Sequence, residues 1–170
     1  MQKHSFYFTF LFSFTFVVIF CGSCGSDTKK TDETDSVKVQ QTKAFSVGDY
    51  NFGILENTKF IPYDKAIYHR GDEVYMVLEN VGPFSKGPDS LNHAEMKMEV
   101  VDAIGELVIR NDKLFGERGV KNFTDNTLKR PAAHYKSEIN NKPGKYTMTV
   151  TIYDLLKKDS IVVSDDFFLE

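Results

Sequence analysis

Two thiols, four imidazoles and scattered carboxylates are the groups in this sequence with chemistry to offer. The thiols are Cys21 and Cys24, in a C-x-x-C spacing that suits a redox pair or half of a zinc site. Zinc asks for further ligands at comparable spacing, and no second cysteine pair is present. A disulfide closing so small a loop would remove little entropy from the unfolded chain. Beyond His4, the histidines His69, His93 and His134 stand singly, without His-x-His or His-x-x-x-His spacing. A zinc site built on them would form only through folding. No Gly-x-Ser-x-Gly elbow and no glycine-rich phosphate loop is present.

The candidate acids lie in two places. Asp154, Asp159, Asp165 and Asp166 lie near the last turn, and Asp72 with Glu73 near an earlier one. Calcium takes about six to eight oxygens, several of them often from one loop. No Asp-x-Asp-x-Asp series supplies them, and adjacent Asp165 and Asp166 would point to opposite faces of a strand. The expectation is a protein with no catalytic set, no cofactor and no metal. The alternative is a metal-dependent enzyme using His93 or His134 with loop acids, or a ligand-binding domain stabilised by calcium.

Two connecting stretches stand out instead. Asn111 to Arg130 is long for a loop in a compact domain, which marks it as a candidate functional segment. It carries Lys113, Arg118, Lys121, Lys129 and Arg130 against Asp112, Glu117 and Asp125. Leu114, Phe115, Val120, Phe123 and Leu128 are its apolar anchors. It reads either as a contact surface for a partner or an anionic glycan, or as a connection between sheets whose apolar residues pack on the core. Val81 to Leu91 is the second stretch, with Phe84 between two Gly-Pro turns. Loops at the end of a rigid scaffold are common places for recognition.

The elements that would position these loops are strands. From Asn92 to Asp102, Ala94, Met96, Met98 and Val100 alternate with Glu95, Lys97 and Glu99. From Lys145 to Tyr153, Tyr146, Met148, Val150 and Ile152 alternate with three threonines, which suit a strand. One face is buried and one wet, as in an antiparallel sheet. Glu73 to Glu79 is apolar on both sides, so a more covered strand is expected there. Ser160 to Leu169 should close the chain as a strand joined to its predecessor through Asp154 to Asp159. Weaker strand signals cover Tyr50 to Leu55, Thr58 to Pro62, Ala66 to Arg70, Glu106 to Arg110 and Ala133 to Ile139. Arg70-Gly71-Asp72, Gly82-Pro83, Gly87-Pro88-Asp89 and Lys142-Pro143-Gly144 are turn chemistry. Short strands divided by such turns predict a β-sandwich.

The first 23 residues differ from all of this. They hold seven of the fifteen Phe, one Lys and no acid. Phe6 to Phe20 is an apolar run broken only by Thr9, Ser13 and Thr15, and small residues come next. That order is the order of a secretory signal. As a helix the run would span about 22 Å, short of the roughly 30 Å hydrocarbon core. Gly22-Ser23-Cys24 resembles the lipobox of bacterial lipoproteins, in which a Cys after small residues becomes acylated once the signal is cleaved. The third position upstream is Cys21, where the family has Leu or a similar aliphatic residue. The resemblance implies a signal peptide over residues 1–23 and lipidation, with palmitate or a similar acyl chain, at Cys24. Cys24 is favoured over Cys21 because bulky Phe20 precedes Cys21. Two acyl chains on one residue would supply the two hydrophobic signals that stable anchoring needs.

Gly25 to Lys43 is nineteen residues, with only Val37 and Val39 apolar and four acids against four lysines. Such a composition cannot offset its ordering entropy, so residues 24–43 are expected to be a flexible tether. It would hold the domain on the order of 25 Å from a bilayer. Gly25 succeeds the candidate acceptor, not the Asp that keeps some lipoproteins in the inner membrane, so the resemblance implies an outer-membrane destination. The membrane face is left open.

Residues 44–170 form a stretch of one-domain size without cysteine, so its stability must come from its core. Without the first 23 residues the chain has 20 Lys+Arg against 24 Asp+Glu, a charge of −4 that argues against a nucleic-acid partner. Gly71-Asp72-Glu73-Val74-Tyr75 and Lys142-Pro143-Gly144-Lys145-Tyr146-Thr147 resemble turns that enter strands in immunoglobulin-like β-sandwich modules of secreted bacterial proteins. The resemblance implies an all-β, immunoglobulin-like antiparallel sandwich and carries no activity with it. The paired Cys and buried Trp of antibody domains are missing. The function expected is that of a lipid-anchored, non-catalytic envelope protein. It would bind or assemble by presenting its end loops to an envelope protein or glycan, whose identity the sequence leaves open.

Overall fold

The computed structural model describes residues 44–116 and 123–170. The expected signal peptide, the tether and both cysteines lie outside those residues, as do Glu117, Arg118, Val120 and Lys121. No helix among the described residues is long and apolar enough to cross a membrane.

Among the described residues, nine strands and one short helix succeed one another. They are β1 (Asp49–Glu56), β2 (Lys59–Pro62), β3 (Ile67–Tyr68), β4 (Glu73–Glu79), β5 (Ala94–Asp102), β6 (Leu107–Asn111), α1 (Asp125–Leu128), β7 (Ala132–Lys136), β8 (Gly144–Asp154) and β9 (Asp159–Leu169). Two sheets form, in the orders β2-β1-β4-β7 and β3-β9-β8-β5-β6. The protein is an all-β sandwich. β4, β5, β7, β8 and β9 take the places of strands B, C, E, F and G of the immunoglobulin arrangement, with β6 as the added strand beside C. Tyr146, at the start of β8, donates its hydroxyl hydrogen to the carbonyl of Lys142 at 2.7 Å, which is the tyrosine corner of such domains. Two residues later, Met148 stands where antibody domains place a cysteine.

Alternation places the core where the pattern puts it. Ala94, Met96, Met98 and Val100 of β5 and Tyr146, Met148, Val150 and Ile152 of β8 are all buried. Across from them lie Phe52, Val74, Met76, Leu78, Ala133 and Tyr135 of the other sheet. Val77, on the opposite side of β4, is also buried, in keeping with its doubly apolar sequence. Phe167 is the hub. Rings from both sheets approach it: Tyr146 at 5.6 Å, Phe52 at 5.9 Å, and Tyr68 and Tyr135 each at 6.1 Å.

Three details depart from the expected arrangement. The pairing of β3 with β9 is parallel, in an otherwise antiparallel sandwich. The strand expected over Ala133 to Ile139 ends at Lys136, and Ile139 projects into solvent at 77% exposure. In β6, Val100 faces Ile109 while Val101 faces Leu107, so Val108 is the extra residue of a bulge.

Candidate functional site

The two stretches singled out by sequence meet at one end of the sandwich. The chain leaving β4 and the chain entering β7 run side by side there. Leu78 N–H donates to Pro131 O at 2.9 Å, and Val81 N–H to Lys129 O at 3.1 Å. Between the first loop and α1 lies a cleft of about 470 Å³. Val81, Phe84, Lys86, Asp125 and Lys129 line it. Phe84 is held from behind by Phe45, edge to face at 4.9 Å. Gly82 sits at φ +126, where a side chain would strain the backbone, and a cis peptide joins it to Pro83.

A polar bracket ties the loops together. Lys86 Nζ lies 3.0 Å from Asp125 Oδ2, and Asn92 Nδ2 donates to Asp125 Oδ1 at 2.8 Å. Asn92 is fully buried and also donates both its backbone N–H and its side-chain amide to Phe123 O. The Asn92 amide, and then the Lys86 ammonium, hold the Asp125 carboxyl below the usual carboxylate range. Leu128, 1% exposed, pins α1 to the core. Leu114 and Phe115 pack against the same core, so these apolar residues of the long connection are structural, while Lys129 lines the cleft.

Asp154, also fully buried, fixes the first loop from the other side. Its carboxylate accepts the N–H of Ser85 at 2.7 Å, of Leu156 at 3.0 Å and of Lys157 at 3.2 Å. Burial pushes this carboxyl up, but those backbone donors outweigh burial and leave it lowered. Asp154 thus serves the last hairpin and the loop together. Sequence reasoning places it only among the acids near the last turn and does not single out Asn92. The one signal for either is a polar residue ending or preceding a run of strict alternation.

The other candidates are dispersed. His93 Nε2 lies 3.0 Å from Asp89 Oδ2, across Gly87, where any Cβ would meet both side chains. The Leu91 N–H, and then the His93 ring, hold the Asp89 carboxyl low. His134 stacks on Tyr75 with centroids 5.3 Å apart, and exposed His69 lies 3.7 Å from Glu170. Asp72 closes its own turn through His69 N–H, and Glu73 accepts from the Tyr75 hydroxyl. Asp166 binds Thr147 and Lys145. Among the described residues, no three of His, Cys, Asp or Glu are grouped to hold a metal.

Neither a protein-family model nor a curated protein matches this chain. A solved structure described as the crystal structure of the C-terminal domain of wzt is similar over 74% of this chain and 72% of its own, at 8% identity and a TM-score of 0.46.

Proposed function

We propose that this chain is a lipid-anchored, non-catalytic protein of a bacterial envelope, whose end loops capture an envelope protein or glycan. The observation that supports the reading is the convergence of the two loops into a cleft of about 470 Å³ with one aromatic ring, two lysines and an aspartate around it. Ligand sites commonly combine apolar walls with a few placed polar groups in this way. The bracket of Asn92, Asp125 and Lys86 braces the cleft, and the Asp154 clamp holds the loop on which Phe84 stands. Preformed walls lower the ordering cost of capture.

The test is retention. The full chain in detergent is immobilised and exposed separately to the protein and glycan fractions of the envelope. Retention from one fraction is expected, and Phe84→Ala combined with Lys129→Glu should cut it by about tenfold while circular dichroism shows the sandwich still folded. Undiminished retention by the double variant, or none from either fraction by the natural chain, overturns the reading.

A further inference from the structure

β9 pairs with β8 along its whole length but with β3 only at Phe168 and Leu169. Before that point its second edge has no partner strand among the described residues. The reason is local. Ala66 takes φ +47 as the chain arrives from β2, which belongs to the other sheet. The parity of the open edge is set by its paired end. Phe168 N–H donates to Ala66 O and Glu170 N–H to Tyr68 O, both at 2.9 Å. Even-numbered residues of β9 therefore aim their N–H and C=O away from β8. On the open stretch these are Ser160, Val162, Ser164 and Asp166.

Two of those four N–H groups are already capped. Asp159 Oδ1 accepts from Ser160, and Asp165 Oδ1 from Asp166, each at 2.8 Å. Val162 and Ser164 lie between the caps. Beside them a groove of about 440 Å³ runs between β9 and β1, lined by Val47 to Tyr50 and Ile161 to Ser164. It adjoins a hollow of about 320 Å³ that shares Asp49 and Tyr50 and is also lined by Asp64 and Asp165. The charged residues lining the two are these three aspartates, with no cation among them. Tyr50 bridges the groove, its hydroxyl donating to Asp165 Oδ2 at 3.1 Å.

We propose that the β9 edge from Ser160 to Asp166 accepts an extended, basic segment of a partner protein as an added strand. Backbone hydrogen bonds to Val162 and Ser164 supply the pairing, and alternate side chains enter the acidic groove. Val162, 60% exposed, offers an apolar neighbour on the outer face. A second copy of this chain fits poorly, because its β9 carries aspartates and no lysine or arginine and would bring like charge to the acidic groove. The surface uses residues distinct from those of the loop-end cleft and does not depend on it.

The probe is a capped peptide of alternating Val and Lys, added to the full chain in detergent, with a Val and Glu peptide as the contrast. The Lys peptide is expected to bind and to slow amide exchange at Val162 and Ser164. Val162→Pro removes one donor at a position whose N–H points outward, where an edge strand tolerates proline, and should weaken binding about tenfold. Asp49→Asn with Asp165→Asn should weaken it by a similar factor and flatten its salt dependence. Equal binding of the Glu peptide, failure of the Lys peptide to bind, or unchanged exchange at Val162 and Ser164 overturns the proposal. If Val162→Pro does not fold, as read by circular dichroism, the exchange measurement on the natural chain decides alone.

Discussion

At the scale of single residues, two side chains hold more than their own strands. Phe167 touches rings from β1, β3, β7 and β8, so it joins both sheets at one point. Phe167→Ala leaves a cavity lined by rings that cannot all collapse into it, and should cost about 3–5 kcal/mol in chemical denaturation. Asp154 is the other. Its carboxyl is lowered in the folded protein, so its contribution is present above the unfolded value of about 4 and is lost as pH falls through the folded value. Stability of the natural chain should therefore drop in that acid range, and Asp154→Asn should show a shallower drop. At neutral pH the same variant should cost about 2 kcal/mol, because three backbone donors lose a charged acceptor. Thermal melts at several pH values check both statements.

At the scale of elements, close approach and edge control explain what the pattern of apolar residues does not. Gly53 of β1 lies under the ring of Phe60, and a Cβ there would run into Ile61 O and meet the ring at 2.7 Å. Gly53→Ala should open the β1–β2 hairpin and cost about 1–3 kcal/mol by overpacking, read as a lower thermal midpoint and faster amide exchange in β2. β6 shows how an exposed apolar edge is managed. Its bulge at Val108 disrupts the flat ladder, and Arg110 folds back onto Glu99 of β5. β5, β8 and the turn before β8 are legible in the sequence because strict alternation and a Pro-Gly pair report local geometry. The parallel contact of β3 is not, since two residues carry no periodicity. The cleft is legible only as two separate loops. Their meeting depends on Asn92 and Phe123, which lie 31 positions apart in the chain.

At the scale of the whole molecule, the prediction concerns attachment. In the proposed reading acylation falls on Cys24, because Gly22 and Ser23 precede it while Phe20 precedes Cys21. Cys24→Ser should then shift the protein from the membrane pellet to the soluble fraction and abolish fatty-acid labelling, and Cys21→Ser should do neither. Label that survives Cys24→Ser would move the acceptor to Cys21. The body itself contains no cysteine between residues 44 and 170, so reductant should leave its unfolding unchanged.

The entry of the chain into the sandwich has a practical meaning. Ser46 exchanges hydrogen bonds with Gly82, and Phe45 backs Phe84, so residue 44 emerges at the rim of the cleft. β9 departs from that same pole and runs eleven residues to the other, a distance of roughly 35 Å. A fluorophore, affinity handle or carrier fused ahead of residue 44 would crowd the mouth of the cleft. The same cargo placed after Glu170 would leave it clear, so immobilisation through the carboxyl terminus is the orientation in which capture should be measured.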